Sequence, residues 1–317
     1  MQKIFKDYII HLLLFIFTFI TTVIAGVEWT TGKLAPYEFS FLIHGLPYAI
    51  SLLSILGIHE FGHYFAAKMH KVKSTLPFFI PIPPIPGMLN FGTMGAVIKT
   101  KSGIRNNIQM FDIGVSGPIA GFIASVIILI YGFYALPDVE YLLNIHPDYF
   151  SPEYGNSGIQ LEFGNNLMFT ILNYIFSEPG KFMPPMSEIY HYPYLCTGWF
   201  GLFVTAMNLV PVGQLDGGHI IYSMFGGKKH ETIAGITLSF LILLGVLGII
   251  QSFVPLGINI GWSGWLFWAL ILFFIIKMKH PEVNDFKELD KKRIWVGYLS
   301  YIIFILSFTP NPFMITF

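Results

Sequence analysis

Two histidines and a glutamate lie within one five-residue segment, HEFGH, of this 317-residue chain. His59 and His63 are four residues apart, so on a helix they lie one turn apart on the same face. Two imidazoles in this arrangement can bind one zinc ion. Glu60 follows the first histidine directly, which places its carboxylate beside the metal, where it can accept a proton from a water. The spacing therefore predicts zinc-assisted hydrolysis with Glu60 as general base.

The residues around this segment are apolar, with ILGI before it and YFAAKM after it. A five-residue pattern with three fixed positions also occurs by chance in unrelated chains. Here, however, a charged group at the centre of a membrane helix costs roughly 2.5 kcal/mol or more. Three ionisable groups within one turn need a compensating partner, and a metal ion is the simplest one.

A tetrahedral catalytic zinc needs a third protein ligand and leaves one position open. Asp216 is the best downstream candidate. It follows a long apolar run that Pro211 and Gly213 should interrupt, and two glycines after it let the backbone turn closely. A broken helix of this kind would deliver the carboxylate at the depth of the two histidines.

The other downstream ionisable residues have simpler explanations. Asp112 stands near the start of an apolar helix, where the helix N-terminus stabilises an acid. The remaining candidates lie in polar contexts and are expected to be solvated surface groups: His146, His191, His230 and Glu231.

Composition indicates a membrane protein. The chain is 54% hydrophobic and only 11% charged, against about 25% charged in soluble domains. Its formal net charge is zero, so nothing points to nucleic acid as a partner.

Seven apolar windows are long enough to cross a bilayer: residues 8–27, 41–67, 108–136, 195–212, 233–253, 262–276 and 294–308. We therefore expect an all-α polytopic membrane protein with about seven transmembrane helices, the first one retained.

Charge distribution predicts the orientation. The loop at residues 137–194 contains seven acids and a single base, Lys181, whereas basic residues gather in the loops that would face the opposite side. Because basic residues accumulate on the cytoplasmic side, this loop should be outside. The N-terminus and the active site would then lie toward the cytoplasm, and the membrane is expected to be a bacterial inner membrane.

The segment between the second and third windows does not read as a helix. Its first half, LPFFIPIPPIPG, is too rich in proline, and its second half, NFGTMGAVIKTKSG, is β-prone and broken by glycine. We expect a membrane-entering β-hairpin near residues 88–101, with an ordinary cytoplasmic loop as the alternative. Its edge could pair with an extended substrate, through Gly92, Thr93, Gly95 and Val97.

Two long motifs in the expected order resemble those of the site-2 protease family of intramembrane zinc metalloproteases. HEFGH resembles the first motif and NLVPVGQLDGGH, residues 208–219, resembles the second. SGPIAG at residues 116–121 matches a glycine-proline motif of the helix between them, and GTMGAVIK at residues 92–99 resembles the membrane hairpin. The resemblance is closest to bacterial and plastid members that lack PDZ and CBS modules.

The resemblance implies one zinc ion per chain with His59, His63 and Asp216 as ligands and Glu60 as the catalytic base and acid. Asn208 matches an asparagine that holds substrate or polarises the scissile carbonyl. His219 is expected to support the ligands or to control access to the site rather than to bind the metal, because a fourth protein ligand would close the position that water needs. The glycines and the proline of SGPIAG are expected to serve close helix packing.

The expected function is hydrolysis of peptide bonds in or near transmembrane segments of single-pass or other membrane proteins. A single membrane-embedded domain is expected, with a catalytic core at about residues 41–225 and C-terminal helices at residues 233–317. Two alternatives remain open at this point. One is a polytopic zinc hydrolase of lipid or prenylated substrates, which gives no reason for the second motif. The other is a non-catalytic relative or metal transporter, although every catalytic position is retained here.

Overall fold

The structure is a computed structural model that describes residues 2–33, 38–85, 89–155, 160–178, 180–254 and 260–316, with side chains described from residue 8 to residue 315. The helices are α1 (Gln2–Thr31), α2 (Leu42–Met69), α3 (Asn107–Tyr134), α4 (Val139–Leu143), α5 (Leu167–Phe176), α6 (Pro193–Leu209), α7 (Asp216–Phe225), α8 (Gly227–Gln251), α9 (Gly264–Leu270) and α10 (Lys291–Ser307). A π-helical segment, Ile271–Ile276, continues α9. The strands are β1 (Phe78–Pro81), β2 (Thr93–Val97), β3 (Gln160–Phe163) and β4 (Phe313–Thr316).

Four helices within the described residues are long and apolar enough to cross a membrane. They are Tyr8–Thr31, Phe39–Met69, Asn107–Tyr134 and Gly227–Gln251. The other three apolar windows correspond to shorter helices: α6 and α10 have 17 residues each, and α9 with its π-helical continuation covers Gly264–Ile276. The structure thus confirms a mostly helical membrane protein with four described helices that could span a membrane. It does not confirm seven spans.

Helices α2, α3 and α6 pack together at the centre of the molecule, and α1 packs on the outer face of α2. Tyr48 and Trp199 are fully buried. The Tyr48 ring of α2 meets Phe200 of α6, and Trp199 of α6 packs against Phe163 and Phe313. A buried hydrogen bond joins the Ser51 and Thr197 hydroxyls, 2.8 Å apart, and fixes α2 against α6. Because these helices are held on several sides, side chains pointing between them have defined positions.

The break after α6 lies where Pro211 and Gly213 predict it. Helix α6 ends at Leu209, and α7 begins at Asp216. Gly213 has φ of +56°, and a β-carbon there would overlap the carbonyl oxygen of Lys277. Two independent reasons therefore require glycine at position 213: the positive φ angle and the lack of space for a β-carbon.

The β-hairpin exists, but its bounds differ from the prediction. Strand β2 lies inside residues 88–101, whereas its antiparallel partner is β1, Phe78–Pro81, in the proline-rich segment. Proline excludes a helix there but is compatible with an extended edge strand. Residue 88 lies outside the described residues. Helix α1 holds the hairpin, because Thr21 Oγ1 donates to the Gly92 carbonyl at 2.6 Å and Trp29 Nε1 donates to the Asn90 carbonyl at 2.6 Å.

A second sheet was not predicted, so the all-α expectation was wrong in this respect. Strand β3 lies in the loop at residues 137–194, which is predicted to be outside and is called the outer loop below. It pairs antiparallel with β4, which follows α10, with Gln160 opposite Thr316 and Phe163 opposite Phe313. Each strand has four residues. Apolar runs this short do not distinguish strand from helix, and their partners are distant in sequence.

The charge of Asp112 is stabilised by an ion pair and not, as predicted, by a helix N-terminus. Helix α3 begins at Asn107, and its cap is Asn106, whose side chain accepts from the Gln109 N–H. Asp112 is one turn further on and instead binds Arg293 at the start of α10, with Nη2 to Oδ2 at 2.7 Å and Nε to Oδ1 at 2.8 Å. His70, after α2, lies 2.8 Å from the same carboxylate. An ion pair, rather than the helix start, stabilises this acid.

Candidate metal centre

Three side chains from two helices converge on one point. Nε2 of His59 and Nε2 of His63 are 3.1 Å apart, and Oδ2 of Asp216 lies 3.5 Å and 3.3 Å from them. Ligand atoms about 2 Å from a shared tetrahedral ion are separated by roughly 3.3 Å. The three atoms therefore already have the spacing of a zinc ligand set, and their donor types suit zinc.

The imidazole of His63 is oriented by its second nitrogen. Nδ1 lies 2.7 Å from the carbonyl oxygen of Ile113 on α3, so Nδ1 carries the proton and donates it to that oxygen. Nε2 is then left with a free lone pair directed at the candidate metal position. A backbone carbonyl of this kind fixes both the tautomer and the ring orientation of a metal ligand.

The glycines of SGPIAG make room for the two imidazoles. A β-carbon on Gly117 would overlap the ring of His63, and one on Gly121 would lie 3.0 Å from Nδ1 of His59. Close helix packing was predicted for this motif, and the two helices do approach closely, because a β-carbon on Gly62 of α2 would lie 3.1 Å from Cα of Gly117. Gly117 and Gly121 in addition leave space for the imidazoles of His63 and His59.

Glu60 lies beside the three converging atoms. Its Oε1 is 4.0 Å from Nε2 of His59, further away than the Asp216 carboxylate. The residue is 8% exposed, and it lines a cavity of about 610 Å³ that also reaches His59, His63 and Asp216. Glu60 thus lies next to the candidate metal position, within 4.8 Å of the ligand atoms of His59 and His63.

Asn208 reaches the same cavity from the last turn of α6. Its Nδ2 lies 3.4 Å from Nε2 of His59. The side-chain amide thus stands at the edge of the candidate metal position, where it can donate to an oxygen of a bound substrate.

His219 has a partner that the sequence did not reveal. Its Nδ1 lies 2.7 Å from Nε2 of His280, and the His280 ring stacks on Tyr222 with centroids 4.1 Å apart. His280 follows the π-helical segment in a loop that lines the cavity. Burial lowers the pKa of His280 to about 4, so it is neutral at physiological pH. The basic segment that contains His280, KMKHPEV, matches no recognisable motif. Only the folded structure shows that His280 lies beside His219.

Strand β2 forms one wall of the cavity with residues Met94 to Ile98. The carbonyl of Lys99 accepts from the Thr75 N–H at 2.9 Å, so Lys99 faces the β1 side. Because backbone groups alternate along a strand, Val97 faces β1 as well, whereas Ala96 and Ile98 point to the opposite edge. No other strand in the described part of the chain pairs with that edge.

Several residues predicted to pair with substrate already have backbone or side-chain partners. The Gly92 carbonyl accepts from the Ile82 N–H at 3.2 Å as well as from Thr21. Thr93 Oγ1 donates to the Ile80 carbonyl at 2.9 Å, and the Gly95 N–H donates to Thr93 Oγ1 at 3.0 Å. Pairing of substrate with this strand stays a prediction. The Ile98 N–H, just past the strand, donates to the Glu60 carboxylate, so Ala96 is the strand position that points away from β1 toward the cavity.

Two of the predicted surface histidines are buried, which corrects the expectation from their polar sequence context. His191 is 1% exposed and His230 is fully buried. His191 packs in the outer loop beside His146, and His230 packs against Tyr222 and His280. Glu231 is half-exposed, as predicted, and pairs with Lys279. None of these four residues lines the cavity at His59.

A helix carrying H-E-x-x-H, met by an aspartate at the start of a second helix inside a bundle of apolar helices, defines a membrane-embedded metallopeptidase centre. The chain belongs to Peptidase family M50, whose family model matches residues 47–248, well over half of its length. This range includes both motifs.

Curated relatives agree with this assignment. The chain is 29% identical over 330 residues to "Probable zinc metalloprotease EGY1, chloroplastic" of Oryza sativa subsp. japonica, covering 96% of this chain and 50% of the relative. It is 25% identical over 274 residues to "Probable zinc metalloprotease EGY2, chloroplastic" of Arabidopsis thaliana, covering 86% and 43%. The chain thus spans about half the length of the curated relatives it matches. Their names support zinc as the metal.

Proposed function

We propose that this chain is a zinc metalloendopeptidase that hydrolyses peptide bonds in or near transmembrane segments of membrane-protein substrates. One observation carries the proposal: two imidazoles and a carboxylate stand at zinc-ligand spacing with Glu60 just outside the set, within helices apolar enough to cross a membrane. Family membership supports the peptidase activity. A lipid or prenyl hydrolase is not favoured by any of the comparisons.

The proposed chemistry divides between the ligands and the residues around them. His59, His63 and Asp216 would hold zinc, which supplies polarisation of the scissile carbonyl and activation of a water. Glu60 would accept the proton of the attacking water and deliver it to the leaving amine. Asn208 would donate from its side-chain amide to the carbonyl oxygen as negative charge develops there.

The cavity also explains how a helical substrate could be presented. A carbonyl inside a helix is hydrogen-bonded to an amide four residues on, so the substrate must unwind locally before attack. An unwound segment could add to the open edge of β2, where Ala96 offers its backbone groups close to Glu60, whose carboxylate accepts from the Ile98 N–H. This pairing would hold the substrate extended next to the metal.

The proposed topology has seven crossings, with the N-terminus and the metal centre toward the cytoplasm. Two sets of contacts support this proposal. Asp112 binds both His70 and Arg293, so the end of α2 lies close to the starts of α3 and α10, as a shared side requires. Strand β3 pairs with β4, so the end of α10 lies close to the outer loop, as the proposed topology requires. The relatives are chloroplastic by name, so a bacterial inner membrane stays a prediction that the comparisons do not support.

The deciding experiment compares purified wild type with Glu60→Gln in detergent. A panel of single-pass reporter helices is offered to each, and zinc per chain is measured in parallel. We expect zinc in both proteins and cleavage only by wild type, with a rate loss of about 10² to 10⁴ in the variant for removal of a general base. Zinc in neither protein under metal-replete conditions would overturn the proposal, as would equal cleavage by both.

A further inference from the structure

A second group of metal-ligating side chains lies in the outer loop, remote in sequence from the cavity at His59. It comprises His146, Glu188 and His191, whose ligand atoms all lie within 4.8 Å of one another. The Nε2 atoms of His146 and His191 are 2.9 Å apart, and Oε2 of Glu188 lies 3.9 Å and 3.8 Å from them. These separations bracket the roughly 3.3 Å expected around a tetrahedral ion.

The carboxylate of Glu188 is buried and only half satisfied. The residue is 3% exposed. Oε1 accepts from the Tyr154 hydroxyl at 3.0 Å, whereas Oε2, the atom that faces both imidazoles, accepts no hydrogen bond from the described residues. A buried carboxylate oxygen without a partner is costly, and a cation at this point would remove the cost.

The two imidazoles are arranged to offer a lone pair to a metal. Their Nε2 atoms are 2.9 Å apart, so at most one of the two nitrogens carries a proton, because two N–H groups cannot face each other at this distance. At least one lone pair is therefore directed into the cluster, and a neutral imidazole is the form that binds metals.

We propose that His146, Glu188 and His191 bind a second metal ion, and that this ion is zinc. Two imidazole nitrogens and one carboxylate oxygen form a donor set that suits zinc better than magnesium or calcium, which prefer oxygen ligands. The cluster borders a cavity of about 750 Å³ that is also lined by Asp148 and Tyr149, so a fourth position for water or for Asp148 is available.

The ion would connect two parts of the outer loop. His146 continues the turn of α4, with its N–H donating to the Leu142 carbonyl at 2.8 Å. His191 ends the 3₁₀ turn Ile189–His191 that directly precedes α6. A metal bond between them would fix the segment after α3 to the start of α6, the helix whose last turn carries Asn208. The role is structural, and it does not depend on the proposed peptidase activity.

The test counts metal on the full chain, purified in detergent after zinc loading and removal of free ions. We expect about two zinc ions per chain in wild type and one in His146→Asn. Glu188→Gln, which keeps the shape of the side chain, should also bind one. His44→Asn is the matched control, a histidine at the outer end of α2 that is not part of the cluster, and it should keep two.

A background without the first site separates the two metal proposals. Asp216→Asn with His63→Ala should retain one zinc ion, and added zinc should raise the thermal midpoint of that protein. Introducing His146→Asn into the same background should abolish both the bound ion and the shift. Unchanged metal content in both cluster variants, or no zinc in the double-variant background while wild type holds a single ion, would overturn the second site. Neither result depends on whether any reporter is cleaved.

Discussion

Gly117 on α3 lies directly against the imidazole of His63 on α2, so closely that a β-carbon at position 117 would overlap Nε2. That nitrogen is the atom that faces His59 and Asp216. The space left by this glycine therefore belongs to the metal centre, although Gly117 has no side chain of its own to contribute.

The first prediction follows from this contact. Gly117→Ala should push the His63 ring away and lower zinc affinity by about 10-fold or more, comparable to the loss of a group that orients a metal ligand. Titration with a competing chelator measures the change. Gly235→Ala on α8 is the control, because a β-carbon there meets nothing within 4 Å. Wild-type affinity in Gly117→Ala would contradict the assignment of His63 as a ligand.

The second prediction concerns Asp216. Asp216→Asn keeps the size of the side chain but removes the charge that faces both imidazoles. Loss of a hydrogen-bond partner of a metal ligand alone lowers metal affinity by about 10- to 100-fold. Loss of the Asp216 carboxylate, a proposed ligand itself, should lower zinc affinity by at least as much. Zinc per chain should fall in the same assay in which Glu60→Gln keeps its zinc. Equal retention by the two variants would mean that Asp216 is not a ligand.

The third prediction tests the open edge of β2. Ala96→Pro removes an N–H that points away from β1 toward the cavity, so cleavage should fall while zinc per chain and the thermal midpoint stay unchanged. Val97→Pro is the contrasting variant. Its N–H faces β1, so we expect the thermal midpoint to fall together with cleavage. Full cleavage by Ala96→Pro would exclude pairing of substrate with this edge. Ile98→Pro is not used, because the Ile98 N–H donates to the Glu60 carboxylate.

The fourth prediction concerns the pair between α3 and α10. Arg293→Met should lower the free energy of unfolding by roughly 1 kcal/mol, a modest value because both side chains are partly exposed, at 31% and 23%. A thermal melt in detergent measures it. Lys292→Met removes a neighbouring exposed charge and should leave the midpoint unchanged. The same small effect in both variants would show that the Asp112 pair contributes nothing.

The approach of His59, His63 and Asp216 could be anticipated from the sequence because the signals for it are local. H-E-x-x-H sets two imidazoles on one helical face by spacing alone, and Pro211 with Gly213 marks where α6 stops. Asp216 could be chosen because that break precedes it. The division into a catalytic core at residues 41–225 and C-terminal helices stays a prediction.

What the sequence missed depends on contacts between distant segments. Neither His280 beside His219 nor Arg293 on Asp112 could be read from spacing, since their partners lie 61 and 181 residues away. Strand β1 was missed because the prolines of its segment exclude a helix but do not by themselves predict a strand. The polar surroundings of His191 suggested a surface position, yet the loop folds over it and buries it.

The β3–β4 sheet sets an order of assembly during synthesis. Gln160 and Phe163 emerge from the ribosome long before their partners, Thr316 and Phe313. The outer loop therefore cannot complete its own structure until α10 and the strand after it have been made. Until then β3 lacks its partner strand, and the loop is held only by its other contacts. Closure of this sheet is therefore a late folding event that reports synthesis and docking of α10.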